Sequence, residues 1–325
     1  MRYIRPLMQV GPDLPPDAVP FGWSWFTHVE VLSRSEPAQI VPVSEITDAE
    51  RARFVGAADA PKLMGILNTT PDSFSDGGAF DTLEAGIAQG RALVSAGADI
   101  LDIGGESTRP GASLVPGDVE IARTAPVIAG LRAAGISTPI SIDTRKAPVA
   151  AAALDAGANI VNDVSGFTFD ADLAPLCAAR GAPVCVMHAQ GEPQTMQQNP
   201  TYDDVLLDVY DALAARIDML VSLGIPRDQI TVDPGIGFGK TLDHNLAILQ
   251  RISLLHGLGV SILLGASRKR FIGTLGNAPE AQDRAPGSVA VALAAIAQGV
   301  QIIRAHDVAE HTQAIALWRA AVAHP

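Results

Sequence analysis

Only two cysteines occur in the 325 residues, Cys177 and Cys185, and they form no metal-ligand pattern. That scarcity argues against a disulfide framework and predicts a reduced, cytoplasmic compartment. No run of about 18 apolar residues is present, so no membrane-spanning helix is expected. The first residues, Met1-Arg2-Tyr3-Ile4-Arg5-Pro6, lack the long apolar core of a secretion signal. Positive charge is also short: 23 Lys and Arg against 35 Asp and Glu leave a formal net charge of −12. A surface of that sign repels nucleic acid. It still admits an anionic small molecule, because a few Arg and Lys side chains can reverse the field inside one pocket.

Several common motifs are missing too. Gly239-Lys240-Thr241 resembles the end of a P-loop, but Pro234 stands where the leading Gly is required. Gly235, Gly237 and Gly239 are spaced two by two, which misses the dinucleotide fingerprint. Arg109 and Lys269 stand where a nucleophile elbow around Ser107 or Ser267 needs Gly. No His-x-x-x-His or paired-Cys metal site exists.

What is present is a long series of short apolar runs, in a chain that is 48% hydrophobic. Eight of them are near-continuous, as strands buried on both faces are: 62–68, 99–104, 139–143, 159–163, 183–188, 229–233, 261–265 and 301–304. Ala-rich segments of helical spacing lie between them, among them 83–96, 119–134, 202–223 and 289–297. A faint repeat, Ala96-Gly97-Ala98-Asp99-Ile100 and Ala156-Gly157-Ala158-Asn159-Ile160, places a glycine helix cap before the second and fourth strands. Eight alternating units in one direction predict a parallel (β/α)8 barrel of the α/β class, with a large open sheet as the other possibility. Residues 1–60 lack such units and hold Trp23 and Trp25; His28-Val29-Glu30-Val31-Leu32 alternates weakly. They read as a small β-rich extension packed on a barrel of residues 61–325.

Active sites on this fold gather at the carboxyl ends of the strands, and all eight ends carry polar groups. Asp143, Asn162 and Asp233 suit a flat heterocycle with amino and ring N–H donors, since a carboxylate accepts two parallel hydrogen bonds. Arg109, Lys269, Arg304 and His306 suit a phosphate or diphosphate. Asn68 offers an oxygen of the kind magnesium takes while keeping most of its waters. His188 reads as a structural histidine. Arg145, Lys146 and Arg268 remain open between salt bridges and substrate contacts, and Asp72 and Asp76 read as anchors of their glycine-ended loop or as groups that order when substrate arrives.

The loops resemble those of the dihydropteroate synthases, a family of pterin-binding barrels, over about residues 62–325. The resemblance rests on Met64-Gly65-Ile66-Leu67-Asn68-Thr69-Thr70-Pro71-Asp72-Ser73-Phe74-Ser75-Asp76-Gly77-Gly78 and on Asp102-Ile103-Gly104-Gly105-Glu106-Ser107-Thr108-Arg109-Pro110-Gly111. Asp233-Pro234-Gly235-Ile236-Gly237-Phe238-Gly239-Lys240 and Gly265-Ala266-Ser267-Arg268-Lys269 complete it. It implies the condensation of (7,8-dihydropterin-6-yl)methyl diphosphate with 4-aminobenzoate, the folate-pathway step that sulfonamides inhibit. Carried over, it implies that Asp143, Asn162, Met187, Asp233 and Lys269 bind the pterin. It implies that Thr108, Arg109, Arg304 and His306 bind the diphosphate, and that Phe74, Pro110, Phe238 and Ser267 form much of the aminobenzoate site, with Lys269 nearby. Lys269, Asp233, Arg304 and His306 are then the catalytic set, Asn68 contacts Mg2+ with Asp102 in support, and the chain forms a homodimer, with 289–297 as a candidate interface.

Two features depart from that family: Thr69 stands where Val is common, and the 60-residue extension exceeds the family core. Two rival functions share part of the inventory. A methyltetrahydrofolate–corrinoid methyltransferase needs Asp143, Asn162 and Asp233 but not the cationic set, and a non-catalytic pterin-binding paralogue needs no cationic set at all. The first two loops, rich in Gly, Ser and Pro, are expected to close over the site.

Overall fold

In a computed structural model, eight of the apolar runs lie side by side, all parallel, and close into a barrel. The structure describes residues 2–54, 60–70, 79–107, 112, 114–191 and 195–322, with backbone alone for 79–82. Phe74, Thr108, Arg109 and Pro110 lie outside the described residues, as do Asp72, Asp76 and most of the first two loops.

The chain opens with β1 (Tyr3–Pro6), β2 (Val19–Phe21), β3 (Ser24–Phe26), β4 (His28–Leu32) and β5 (Gln39–Pro42), followed by the short helix α1 (Asp48–Arg51). The barrel strands are β6 (Lys62–Asn68), β7 (Ile100–Gly104), β8 (Ile140–Asp143), β9 (Ile160–Asp163), β10 (Val184–Met187), β11 (Ile230–Asp233), β12 (Ser261–Leu264) and β13 (Ile302–Ala305). Each overlaps an apolar run read from the sequence. The helices of the barrel are α2 (Ala79–Ser95), α3 (Gly117–Ala133), α4 (Ala147–Asp155), α5 (Leu173–Arg180), α6 (Val205–Ser222), α7 (Leu242–Gln250), α8 (Arg270–Leu275), α9 (Ala285–Ile296) and α10 (Val308–Val322).

Local chemistry explains where the helices stop and start. Gly97 (φ +105°) and Gly157 (φ +109°) take the positive φ that closes α2 and α4. In each, the glycine N–H and the next N–H bond back into the last turn: Gly97 to Val94 and Ala98 to Leu93, then Gly157 to Leu154 and Ala158 to Ala153. α6 begins at 205 rather than 202 because the Asp204 carboxylate accepts from the N–H groups of Leu206 and Leu207. α9 begins four residues before the expected 289, since Pro286 is tolerated in a first turn.

Two apolar layers hold the barrel. Outside it, Leu101, Ile103, Ile140, Ile142, Val186 and Ile262 are buried under the helices. A Leu or Ile truncated to Ala at such sites costs roughly 2–5 kcal/mol. Inside, Met64, Ile100, Cys185 and Leu263 form a separate plug, with Ile160 and Ile302 against it. Cys177 and Cys185 are both free and buried. Among the described residues, no helix is long and apolar enough to cross a membrane.

The extension folds as an antiparallel sheet, β1-β4-β5, beside a β2–β3 hairpin. It has its own core of Ile4, Phe21, Phe26, Val29, Val43 and Ile46. It seats on the 3-10 segment 252–258 that leads into β12, at the end of the barrel opposite the strand carboxyl termini. Ser253 Oγ donates to the Pro6 carbonyl at 3.0 Å. The Trp23 indole N–H donates to the Ile296 carbonyl at 2.8 Å, and the Tyr3 hydroxyl to Asp211 at 2.9 Å.

Candidate active site

Parallel pairing sets the polar residues in register. Asn68 is opposite Gly104, Gly104 opposite Asp143, Asp143 opposite Asn162, and Met187 opposite Asp233. Side chains alternate along a strand, so these residues face the barrel interior, as do Met64, Ile100 and Cys185 of the inner plug. The polar row lies one step above the plug, at the carboxyl ends. Gly104 and Gly265 interrupt it without a side chain: a β-carbon on Gly265 would lie 3.3 Å from Asp233 Oδ2. A β-carbon on Gly104 would meet the Asp143 side chain, at 3.5 Å.

The centre of the row is a charge network. Arg304 Nε donates to Asp102 Oδ2 at 2.6 Å and Arg304 Nη2 to Asp143 Oδ2 at 2.8 Å. Asn162 Nδ2 donates to Asp102 Oδ2 at 3.2 Å. Burial pushes the Asp143 carboxyl up to about 7, against the pull of Arg304. Burial also works against charge on Arg304, but Asp102 and Asp143 outweigh it and hold its pKa above the usual value. Arg304 therefore meets two carboxylates in this structure, although the sequence reading assigns it to a diphosphate. The two bonds use two of its five N–H groups.

Asp233 faces this network from β11. Burial raises its pKa, opposed by Lys269 and by the Gly235 N–H, which donates to Oδ1 at 2.7 Å. Lys269 lies between Asp233 and the next loop. Its ammonium donates to the Ile236 carbonyl and stands 4.7 Å from the Phe238 ring centroid. Burial brings its pKa down to about 8, with Asp233 pulling the other way. Ser267 Oγ and His306 Nδ1 pair at 3.0 Å, and the His306 N–H donates to the same hydroxyl at 3.2 Å. Met187 is buried beside Asp233 in the register.

The loop after β11 needs its glycines. At Gly235 (φ +68°) a β-carbon would lie 1.9 Å from the His188 carbonyl oxygen. Asn245 Oδ1 accepts from the Gly237 N–H at 2.7 Å and the Tyr202 hydroxyl donates to the Gly239 carbonyl at 2.7 Å. Lys240 completes the anchor: its ammonium reaches His188 Nδ1 at 2.9 Å, the His188 carbonyl at 3.3 Å and the Phe238 carbonyl at 3.0 Å. Burial lowers Lys240 to about 7, with Asp233 opposing, and lowers His188 to about 3, with Lys240 adding to the effect. The histidine is thus a neutral acceptor. Sequence reasoning gave Lys240 no role; its place at the end of the glycine-rich motif was the available signal.

The residues left open in the sequence each have a protein partner. Arg145 Nη2 donates to Glu106 Oε2 at 3.1 Å, and its guanidinium stacks 4.3 Å over Phe169. Lys146 bridges Glu106 at 3.0 Å and Glu120 at 2.5 Å. Glu106 Oε1 accepts from the Val115 N–H at 2.9 Å, which ties the two ends of the second loop together. Arg268 forks onto Asp307. Asp163 points away from the row and anchors its own loop, accepting from Ser165 and Phe167.

The arrangement sets a carboxylate and amide wall against a cationic one, in a mouth floored by an apolar plug. Residues 64–306 match the model of the pterin binding enzyme family. A dihydropteroate synthase of Synechocystis is 46% identical over 261 residues, 79% of this chain and 90% of that protein. The structure of the Xanthomonas albilineans dihydropteroate synthase with 4-aminobenzoic acid superposes with a TM-score of 0.76 at 44% identity, over 81% of this chain and 93% of that one. The same enzyme in complex with 7,8-dihydropteroate gives 0.73 at 41% identity, over 81% and 94%. A closed parallel barrel, a site at its carboxyl mouth and these likenesses agree, and the chain belongs to the pterin-binding enzymes, within them to the dihydropteroate synthases.

Proposed function

We propose that this chain condenses (7,8-dihydropterin-6-yl)methyl diphosphate with 4-aminobenzoate, releasing 7,8-dihydropteroate and diphosphate. The observation that carries the reading is the meeting of Asp143, Asn162 and Asp233 with Arg304, Lys269 and His306 in one mouth. The ligands of the Xanthomonas relative support it. The cationic groups tell against a methyl transfer from methyltetrahydrofolate and against a pterin-binding paralogue without catalysis, since neither needs them.

Asp233, and Asp143 once it has lost its proton, accept from the pterin's amino and ring N–H groups, and Asn162 completes that edge. Met187 packs on the ring face. As the pterin's donors arrive, Asp143 shares its oxygens between them and Arg304. The exocyclic C–O bond then breaks with both electrons on the diphosphate oxygen. Arg304 and His306, with Thr108 and Arg109, bind the departing anion, and fixed cations stabilise such charge without reorganising. The ionised Asp233 favours the cationic pterin left behind. Phe238, Ser267, Phe74 and Pro110 hold 4-aminobenzoate with its amine toward the exposed carbon; the amine attacks and releases a proton. Lys269, between the Phe238 ring and Asp233, borders both sites, and sulfonamides compete for the aminobenzoate side.

The amide oxygen of Asn68 at the end of β6 suits magnesium, a hard cation that keeps most of its waters and would take its other oxygens from the diphosphate. Asn68 would hold Mg2+, which when bound supplies further positive charge to the leaving group. The uncharged, Ala-rich α9, with Pro286, Ala290 and Ala294 exposed, supports a homodimer interface, and the two free cysteines support a cytoplasmic site. The test is diphosphate release with the pterin diphosphate, Mg2+ and 4-aminobenzoate. Release that depends on 4-aminobenzoate supports the synthase; pterin binding without turnover contradicts it.

A further inference from the structure

Arg268 occupies a position that its own backbone disfavours. It is the third residue of a turn from Ala266 to Lys269, closed by the Lys269 N–H on the Ala266 carbonyl at 3.3 Å, and its φ is +57°. Turns with positive φ at that position favour Gly or Asn, because a β-carbon crowds the following carbonyl. Arg has neither glycine's freedom nor asparagine's short polar side chain.

The surroundings show what holds it there. The Arg268 N–H donates to Ser288 Oγ at 2.9 Å, and Arg284 Nη1 donates to the Arg268 carbonyl at 3.0 Å. The guanidinium then forks onto one carboxylate, Nε to Asp307 Oδ2 at 3.0 Å and Nη2 to Asp307 Oδ1. Asp307 is 7% exposed and directly precedes α10. Its carbonyl accepts from the His311 N–H at 3.1 Å and pairs with His311 Nδ1 at 2.6 Å, so the acceptor is itself fixed.

The neighbours of these two residues are the site. Ser267 pairs with His306, and one residue along Arg268 pairs with Asp307. The loops after β12 and β13 are thus joined by two adjacent rungs; Lys269 follows directly on the first loop, and Arg304 lies in β13 just ahead of the second. A bidentate fork defines both distance and angle, which a single Lys contact does not.

Resting on the proposed synthase reading, the structure assigns to Arg268 and Asp307 a positioning role: their fork sets the spacing of Ser267 and Lys269 against His306 and Arg304. The two residues act through their neighbours and touch no substrate. Arg268→Lys keeps the charge and loses the fork; Asp307→Asn keeps the shape and loses the charge. Each is expected to raise KM for 4-aminobenzoate about tenfold, a size typical of displaced binding groups. Affinity for the pterin, to which Lys269 alone of the positioned residues contributes beside Asp143, Asn162 and Asp233, should fall less, by about threefold at most. Because the two residues work as one unit, the double variant should be no worse than either single one.

Kinetics are measured well below each variant's melting midpoint. In parallel, the His306 ring nitrogens are followed by NMR in the ligand-free protein. The Nδ1 signal should move toward that of an unpaired imidazole in both variants, and this readout stands even if the wild type shows no synthase turnover, an outcome that counts against the function alone. Wild-type KM with an unmoved Nδ1 signal in soluble Arg268→Lys and Asp307→Asn would overturn the inference. So would equal losses in pterin affinity and aminobenzoate KM, which mark general destabilisation.

Discussion

Arg304, on the last strand of the barrel, donates to Asp143 on the third, Nη2 to Oδ2 at 2.8 Å. Their 161-residue separation in sequence is bridged only when the barrel closes. The contact joins the wall assigned to the heterocycle with the wall assigned to the leaving group.

Asp143 gives that contact a pH signature. Its native carboxyl keeps a proton up to about 7, whereas an unfolded Asp releases it near pH 4. The native state therefore binds more protons across that window, and its stability falls as pH rises through it. Urea unfolding at pH 5 and pH 8 should show a larger loss for the wild type than for Asp143→Asn. Equal losses would place the titration elsewhere.

Lys269 sets the alkaline side of activity. With its pKa brought to about 8, it loses its proton as pH rises through that value, and its positive charge leaves the site. The kcat/KM profile should fall above about pH 8. Lys269→Arg, which stays charged, should have lower activity and no such limb. A limb that persists in this variant would assign it to another group.

Gly265 tests the floor of the pocket. The β-carbon of Gly265→Ala would lie 3.3 Å from Asp233 Oδ2, so the carboxylate must move by a few tenths of an ångström. Calorimetric titration should show pterin affinity reduced about tenfold with little change in Tm, since such displacements act on binding geometry. Unchanged affinity would mean that Asp233 does not hold the pterin.

The extension is expected to stabilise rather than catalyse. Trp23 is buried and bonded to the Ile296 carbonyl, at the end of the barrel away from the site. Trp23→Ala should cost roughly 3–5 kcal/mol in denaturant unfolding, with KM for both substrates unchanged. Removal of residues 1–58 would bare Tyr210 and His256, on which Tyr3 and Phe21 pack, and should lower solubility and Tm further. A raised KM in Trp23→Ala would tie the extension to the site.

The barrel was legible because its signals are local. A doubly buried strand is a continuous apolar run, and Gly97 and Gly157 mark the helix ends that precede two of them. The polar residues at strand ends were legible for the same reason, since the fold brings all such ends together. The partners of Arg145, His188 and Arg268 were not. These partners lie 39, 52 and 39 residues away, and no periodicity links a side chain to a loop at that distance. Helical spacing reaches back to 202, but α6 starts three residues later because Asp204, inside that run, caps it. Strand-end position alone points Arg304 to a phosphate, whereas closure of the barrel also gives it Asp102 and Asp143.

The most direct measurement is 4-aminobenzoate-dependent diphosphate release by the wild type, Lys269→Ala and Asp233→Asn, with pterin binding recorded for each. The account predicts turnover by the wild type, a loss of about a hundredfold or more in both variants, and weakened pterin binding in Asp233→Asn. Wild-type rates in either variant, or a wild type that binds pterin without releasing diphosphate, would contradict it.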